Sequence, residues 1–205
     1  MSSPDTLEQI AVEIKTCTAC RLHLGRKLAV PGEGPANADL MFIGEGPGFH
    51  ENEQGRPFVG AAGRFLEELL ETIGLTREQV FIGNVIKCRP PGNRDPQMDE
   101  IEACSGFLER QIQTINPKVI ITLGRFSMAR YFPKDRISTI HGQAKWIRSR
   151  LIVPMYHPAA ALHQPSLREV VRNDFARLPE YIEQVQDQDV VQEEPPSDPQ
   201  QLSMF

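Results

Sequence analysis

Strand-like apolar runs alternate four times with helix-periodic segments along this chain. That order predicts an α/β fold: a three-layer α/β/α arrangement around a central four-stranded parallel sheet. The runs are Leu40 to Ile43, Val80 to Ile86, Val119 to Leu123 and Leu151 to Val153. Each is short and almost wholly apolar, as a strand buried on both faces should be. A second observation concerns where the polar residues fall. Glu45, Asn84, Gly124 and His157 come at or just after the four strand ends, and open parallel sheets bind ligands beyond the carboxyl ends of their strands.

Taken in order, Leu7, Ile10, Ala11 and Ile14 give a first helix over about residues 5 to 15, with Asp5 as its cap. It delivers the chain to Cys17-Thr-Ala-Cys20, and a loop rich in Gly, Pro and Ala covers 31 to 38. The first strand runs into Gly44-Glu45-Gly46-Pro47-Gly48, then a ten-residue loop reaches Phe58-Val59-Gly60. A helix from about 61 to 73 carries Phe65, Leu66, Leu69, Leu70 and Ile73 on one stripe and ends at Gly74. After the second strand and the loop from Arg89 to Pro96, a helix from about 98 to 115 presents Ile101, Cys104, Phe107, Leu108 and Ile112. A short helix from 125 to 132 follows the third strand, Pro154-Met-Tyr-His157-Pro158 follows the fourth, and a last helix spans 166 to 185.

Composition sets the limits on function. With 205 residues, 40% of them hydrophobic, the chain suffices for one domain over residues 1 to 185 with a tail from 186 to 205. Its apolar stretches fall short of the roughly 20 residues that cross a membrane. The first residues lack the basic and apolar regions of a signal peptide, so a cytoplasmic, nucleoid-associated location is expected. Seven acids and no Lys or Arg lie beyond residue 177. Setting those aside from the net charge of −5 leaves +2 on residues 1 to 177, which permits a polyanionic ligand without demanding one.

The glycine-rich loop is where ligand chemistry concentrates. Gly44, Gly46 and Gly48 let a ligand approach the backbone, but the spacing matches neither the dinucleotide fingerprint nor a phosphate loop. Glu45, an acid between two glycines at a strand end, suits the activation of water. The cysteines fall as C-x2-C at 17 and 20, then Cys88 and Cys104. In a cytoplasmic protein this spacing fits a four-thiolate site, for zinc or for an iron-sulfur cluster.

Five signals together resemble the family 4 uracil-DNA glycosylases, the iron-sulfur branch of their superfamily. They are GEGPG with GRPFVG at 55 to 60, GNVIKCRPP at 83 to 91, ITLGRF at 121 to 126, YHPAAAL at 156 to 162, and the four cysteines. The similarity spans about residues 10 to 183. It implies a monofunctional glycosylase that flips uracil out of single- or double-stranded DNA and hydrolyses its N-glycosidic bond. It also implies a structural 4Fe-4S cluster on Cys17, Cys20, Cys88 and Cys104. Glu45 and Gly46 would attend the hydrolytic water, Phe58 would stack on uracil with Gly48 in the same loop, Asn84 would read the base edge, and His157 would sit beside the departing O2. An Asn amide offers one donor and one acceptor, matching O4 and N3–H of uracil and mismatching cytosine.

In the segment after His157, Leu162 is the candidate wedge into duplex DNA, and Arg89, Arg94 and Arg168 are candidate phosphate contacts. A related branch binds uracil-DNA covalently through a histidine after a basic run. Here Ile137-Ser-Thr-Ile140 precedes His141, so ordinary turnover is expected. A non-catalytic binder of damaged DNA and a zinc-containing α/β hydrolase are the rival readings. The tail is a low-complexity acidic linker that closes on Gln201-Leu202-Ser203-Met204-Phe205. This resembles the peptide by which bacterial repair proteins dock on the β sliding clamp, through Gln201, Leu202, Met204 and Phe205. Nothing in the sequence calls for more than a monomer.

Overall fold

The computed structural model describes residues 5 to 193, with side chains to 185. Five strands form one sheet in the order β2-β1-β3-β5-β4. β1 (Leu40–Gly44), β2 (Phe81–Asn84), β3 (Val119–Leu123) and β5 (Arg150–Met155) are parallel, as the sequence predicts. The strand count differs: β4 (Lys145–Ile147) pairs antiparallel with β5 at the sheet edge. Its three residues, two of them exposed, are too few for an alternating pattern to show in sequence.

Alternate residues of β1 serve opposite faces. Leu40 and Phe42 join a core with Phe65, Leu66, Leu69, Val171 and Phe175, from α3 (Ala61–Thr72) and α8 (Ser166–Ala176). Met41 and Ile43 join another with Ile10, Ile14, Leu108 and Ile112, from α1 (Leu7–Thr16) and α4 (Met98–Ile115). Two apolar cores on the two faces of one sheet make the three layers.

Local departures have local causes. The cap of α1 is Thr6, in a reciprocal box with Gln9, while Asp5 instead pairs with Arg110, which also holds Glu13. The loop expected between Gly48 and Phe58 contains α2 (Phe49–Gln54), a polar six-residue helix with little apolar period to betray it. The helix after β3 stops early, as α5 (Arg125–Ala129), and α6 (Ile137–Ile140) precedes β4. α7 (Pro158–His163) starts directly after His157. The expected helix over 166 to 185 is two, α8 and α9 (Leu178–Glu193); Pro179 sits in the first turn of α9, where its missing N–H costs nothing. The backbone of α9 runs on past residue 185, where composition begins a linker. The proposed clamp peptide, 201 to 205, lies outside the described residues. Among those residues, no helix is long and apolar enough to cross a membrane.

Candidate active site

The carboxyl ends of β1, β2 and β5 open into a cavity of about 430 Å³, lined by Glu45, Gly46, Pro47, Gly48, Phe58, Asn84 and His157 among others. The register explains how they meet. Gly44 of β1 is paired with Asn84 of β2, and a Cβ at Gly44 would run into Asn84 Oδ1 and the Phe58 ring. Glycine here lets the Asn84 amide and the Phe58 ring lie side by side.

Asn84 is buried, and its Oδ1 has no hydrogen-bond partner among the described residues. A buried carbonyl oxygen without a donor costs about 1 to 3 kcal/mol, so the arrangement is one that a ligand N–H would relieve.

Phe58 adopts a left-handed backbone, φ 51°, unusual for an aromatic residue. Two side chains hold it there. Arg77 donates from Nη1 to the Phe58 carbonyl at 2.9 Å and from Nη2 to the Pro57 carbonyl. Glu51, on α2, accepts from the Val59 and Gly60 amides through Oε1 at 2.9 Å each, and from Gly48 through Oε2 at 3.1 Å. One carboxylate thereby ties the glycine-rich loop to the Phe58 loop.

His157 stacks on Phe58, ring centroids 5.5 Å apart. Its Nδ1 accepts the Ala159 amide of α7 at 3.1 Å, so the neutral ring carries its proton on Nε2. Enclosure by protein pulls its pKa down to about 4. His157 is thus a neutral donor at neutral pH. Glu45 is half-buried, and burial first, then the negative Asp95, lifts its pKa above the ordinary value, with Arg125 opposing.

Sequence reasoning missed Glu51, Asn93 and His163, which also line the cavity, and Arg77 behind it. Only Glu51 had a signal, an acid three residues after the glycine that precedes α2. Arg94 lines the cavity too, bound bidentate to the buried Glu100. Arg89, Leu162 and Arg168 do not line it. Leu162 is 38% exposed on α7, and Arg168 lies over the Phe65 ring at 5.0 Å. His141 does not line it either; its Nδ1 is held 2.8 Å from Asp174 and its ring lies 4.8 Å from that of Tyr156.

All four cysteines line a second, small cavity beside Lys87, Arg26 and Phe107. Burial raises the thiol pKa of Cys88, and that of Cys104 to about 11; a bound cation would reverse this by stabilising thiolate. Arg26 donates to Cys88 Sγ at 3.3 Å, and the Ala19 amide to Cys17 Sγ at 3.4 Å. Among the described residues, no three His, Cys, Asp or Glu side chains are grouped to hold a single metal ion. A donor set of four thiols, with N–H groups aimed at two sulfurs, fits an iron-sulfur cluster.

The uracil DNA glycosylase superfamily model matches residues 31–185. A type-4 uracil-DNA glycosylase of Sulfurisphaera tokodaii is 50% identical over 186 residues, 86% of this chain and 84% of that protein. The chain belongs to the type-4 family of the uracil-DNA glycosylase superfamily. Another type-4 member, from Thermotoga maritima, is 40% identical over 87% of this chain and 95% of its own. A type-5 uracil-DNA glycosylase of Pyrobaculum aerophilum is more distant, 27% identical over 171 residues. Membership in the type-4 family agrees with the resemblance carried by the glycine-rich, GNVIKCRPP and YHPAAAL segments.

Proposed function

We propose that this protein is a monofunctional uracil-DNA glycosylase that hydrolyses the N-glycosidic bond of deoxyuridine flipped out of DNA, leaving an abasic site for base excision repair. The observation that carries the reading is the unpartnered Oδ1 of Asn84 beside the Phe58 ring and the neutral His157. Uracil N3–H supplies the missing donor, and the Asn84 amide N–H meets O4. Cytosine would bring a bare N3 to the same oxygen, leaving both buried groups unpaired, which makes discrimination large.

As the C1′–N1 bond breaks, its electron pair stays with uracil and the sugar becomes cationic. His157 Nε2–H donates to the charge gathering on O2, as an oxyanion-hole donor does. Glu45 faces the sugar with negative charge and orients the water that adds to C1′. The water's second proton passes through Glu45 to solvent, and the departed uracil anion takes one from solvent at N1. Among the described residues no lysine lines the cavity, so no Schiff base and no strand cleavage are expected.

Cys17, Cys20, Cys88 and Cys104 would hold a 4Fe-4S cluster, a structural clip between the loop after α1, the loop after β2, and α4. The tail peptide, Gln201 to Phe205, would dock on the β sliding clamp; deleting residues 201 to 205 should end co-elution with the clamp and leave excision intact. The test of the main reading is uracil release from a uracil-containing oligonucleotide beside a thymine control, with iron and sulfide measured on the same sample. Iron-loaded protein that releases no uracil would leave the non-catalytic binder.

A further inference from the structure

A groove of about 400 Å³ adjoins the uracil cavity and shares Pro90 and Arg94 with it. Arg21, Leu22, Leu24, Gly25, Arg89 and Pro91 complete its lining. One wall follows Cys20 directly and the other follows Cys88. Three arginines make the groove cationic, but they are not equivalent. Arg94 is committed to the buried Glu100, and Arg21 is paired with Asp99 at the surface. Arg89 is in no ion pair among the described residues; its Nε is held by Asn93 Oδ1 at 2.7 Å, and its guanidinium lies 5.2 Å over the ring of Phe49, which is 52% exposed. Leu24 stands 80% exposed on the opposite wall with no core to join.

A guanidinium in no ion pair, on an aromatic support and lining the same groove as an exposed leucine, is chemistry for an unstacked base and its phosphate. Continuity through Pro90 and Arg94 says which base. We infer that this groove takes the nucleotide next to the flipped uridine on the same strand, its base between Arg89 and Leu24. The groove is nearly as large as the cavity meant for uracil, so it holds one unstacked nucleotide and favours single-stranded DNA, where unstacking is cheapest. The inference rests on the proposed glycosylase reading and adds a second subsite to it.

The test uses single-stranded uracil oligonucleotides in which the 5′ or the 3′ neighbour of uridine is replaced by an abasic spacer. Anisotropy gives Kd and single-turnover uracil release gives rate. One spacer position, and not the other, should weaken binding by roughly 5- to 150-fold, the affinity equivalent of one base stack. Leu24→Ser, which alters neither charge nor core, should weaken binding of the intact oligonucleotide severalfold and have no effect on the sensitive spacer oligonucleotide. Arg89→Ala should show the same coupling. Equal effects of Leu24→Ser on both oligonucleotides, or no dependence on spacer position, would overturn the subsite. The two readings separate cleanly: side-specific binding without uracil release would remove the enzyme and keep the groove, and release without side-specific binding would do the reverse.

Discussion

His157 and Phe58 lie ring against ring, centroids 5.5 Å apart and planes 21° from parallel. On the proposed reading the contact joins the leaving-group donor to the stacking platform, so a base laid on Phe58 would be placed beside His157 by the same geometry. With Nδ1 engaged by Ala159, only Nε2 is left to donate.

His157→Ala should therefore lower single-turnover excision by about 10²- to 10³-fold, the usual loss for one oxyanion donor, with little change in oligonucleotide Kd. Because the wild-type ring titrates at about 4, the rate should show no inflection near the ordinary histidine value of 6.5. An inflection there that vanishes in the variant would contradict the neutral donor.

Glu45 should set the acid limb of the rate profile. Its pKa is raised above 4.5 by burial and then by Asp95, so the carboxylate is present above that limb and lost as pH falls through it. Asp95→Asn removes a repelling charge and should move the limb to lower pH; Glu45→Gln should abolish it. The sign for stability runs the other way, since a carboxyl group with a raised folded-state pKa destabilises the fold once ionised. Glu45→Gln should thus be slow but have a higher Tm than wild type at neutral pH, and an unchanged or lower Tm counts against the burial argument.

Glu51 is the acceptor for three backbone amides. Glu51→Ala strands them and should cost about 1 to 3 kcal/mol of stability, read as a fall in the urea midpoint. Phe58 then loses one of its two restraints, so KM should rise more than kcat falls. Glu51→Gln, which keeps an acceptor for Val59 and Gly60, should recover most of the KM. Equal losses in the two variants would mean that the charge matters rather than the tether.

Cysteine-to-serine substitution at any of positions 17, 20, 88 and 104 should abolish bound iron and sulfide together and lower the Tm. Loss at only one or two positions would break the four-thiolate assignment.

The fold was legible where burial is two-sided. β1 is an uninterrupted apolar run up to Gly44, and β3 is one broken only by Thr122, because helices cover both faces, and the stripe of α3 has one face to bury. Lys145-Trp146-Ile147 escaped notice because an edge strand of three residues has partners on one side only. Glu45, Asn84 and His157 were legible because strand ends are marked by polar residues after apolar ones. Arg77 was not, since its work is done on the backbone carbonyls of a distant loop, and such contacts leave no pattern in the chain; for Glu51 the sequence marks only the cap of α2, not its hold on Val59 and Gly60.

On the proposed reading, the atoms by which Asn84 reads the base survive the reaction. On that reading uracil O4 and N3–H are the same before and after the C1′–N1 bond is cut, so the unpartnered Oδ1 of Asn84 would be as well satisfied by the product as by the substrate. The free base should consequently inhibit excision, and it should raise the Tm as any ligand of the native state does. Recognition built on the leaving group would thus persist into the product, making release of the base a step of its own in turnover.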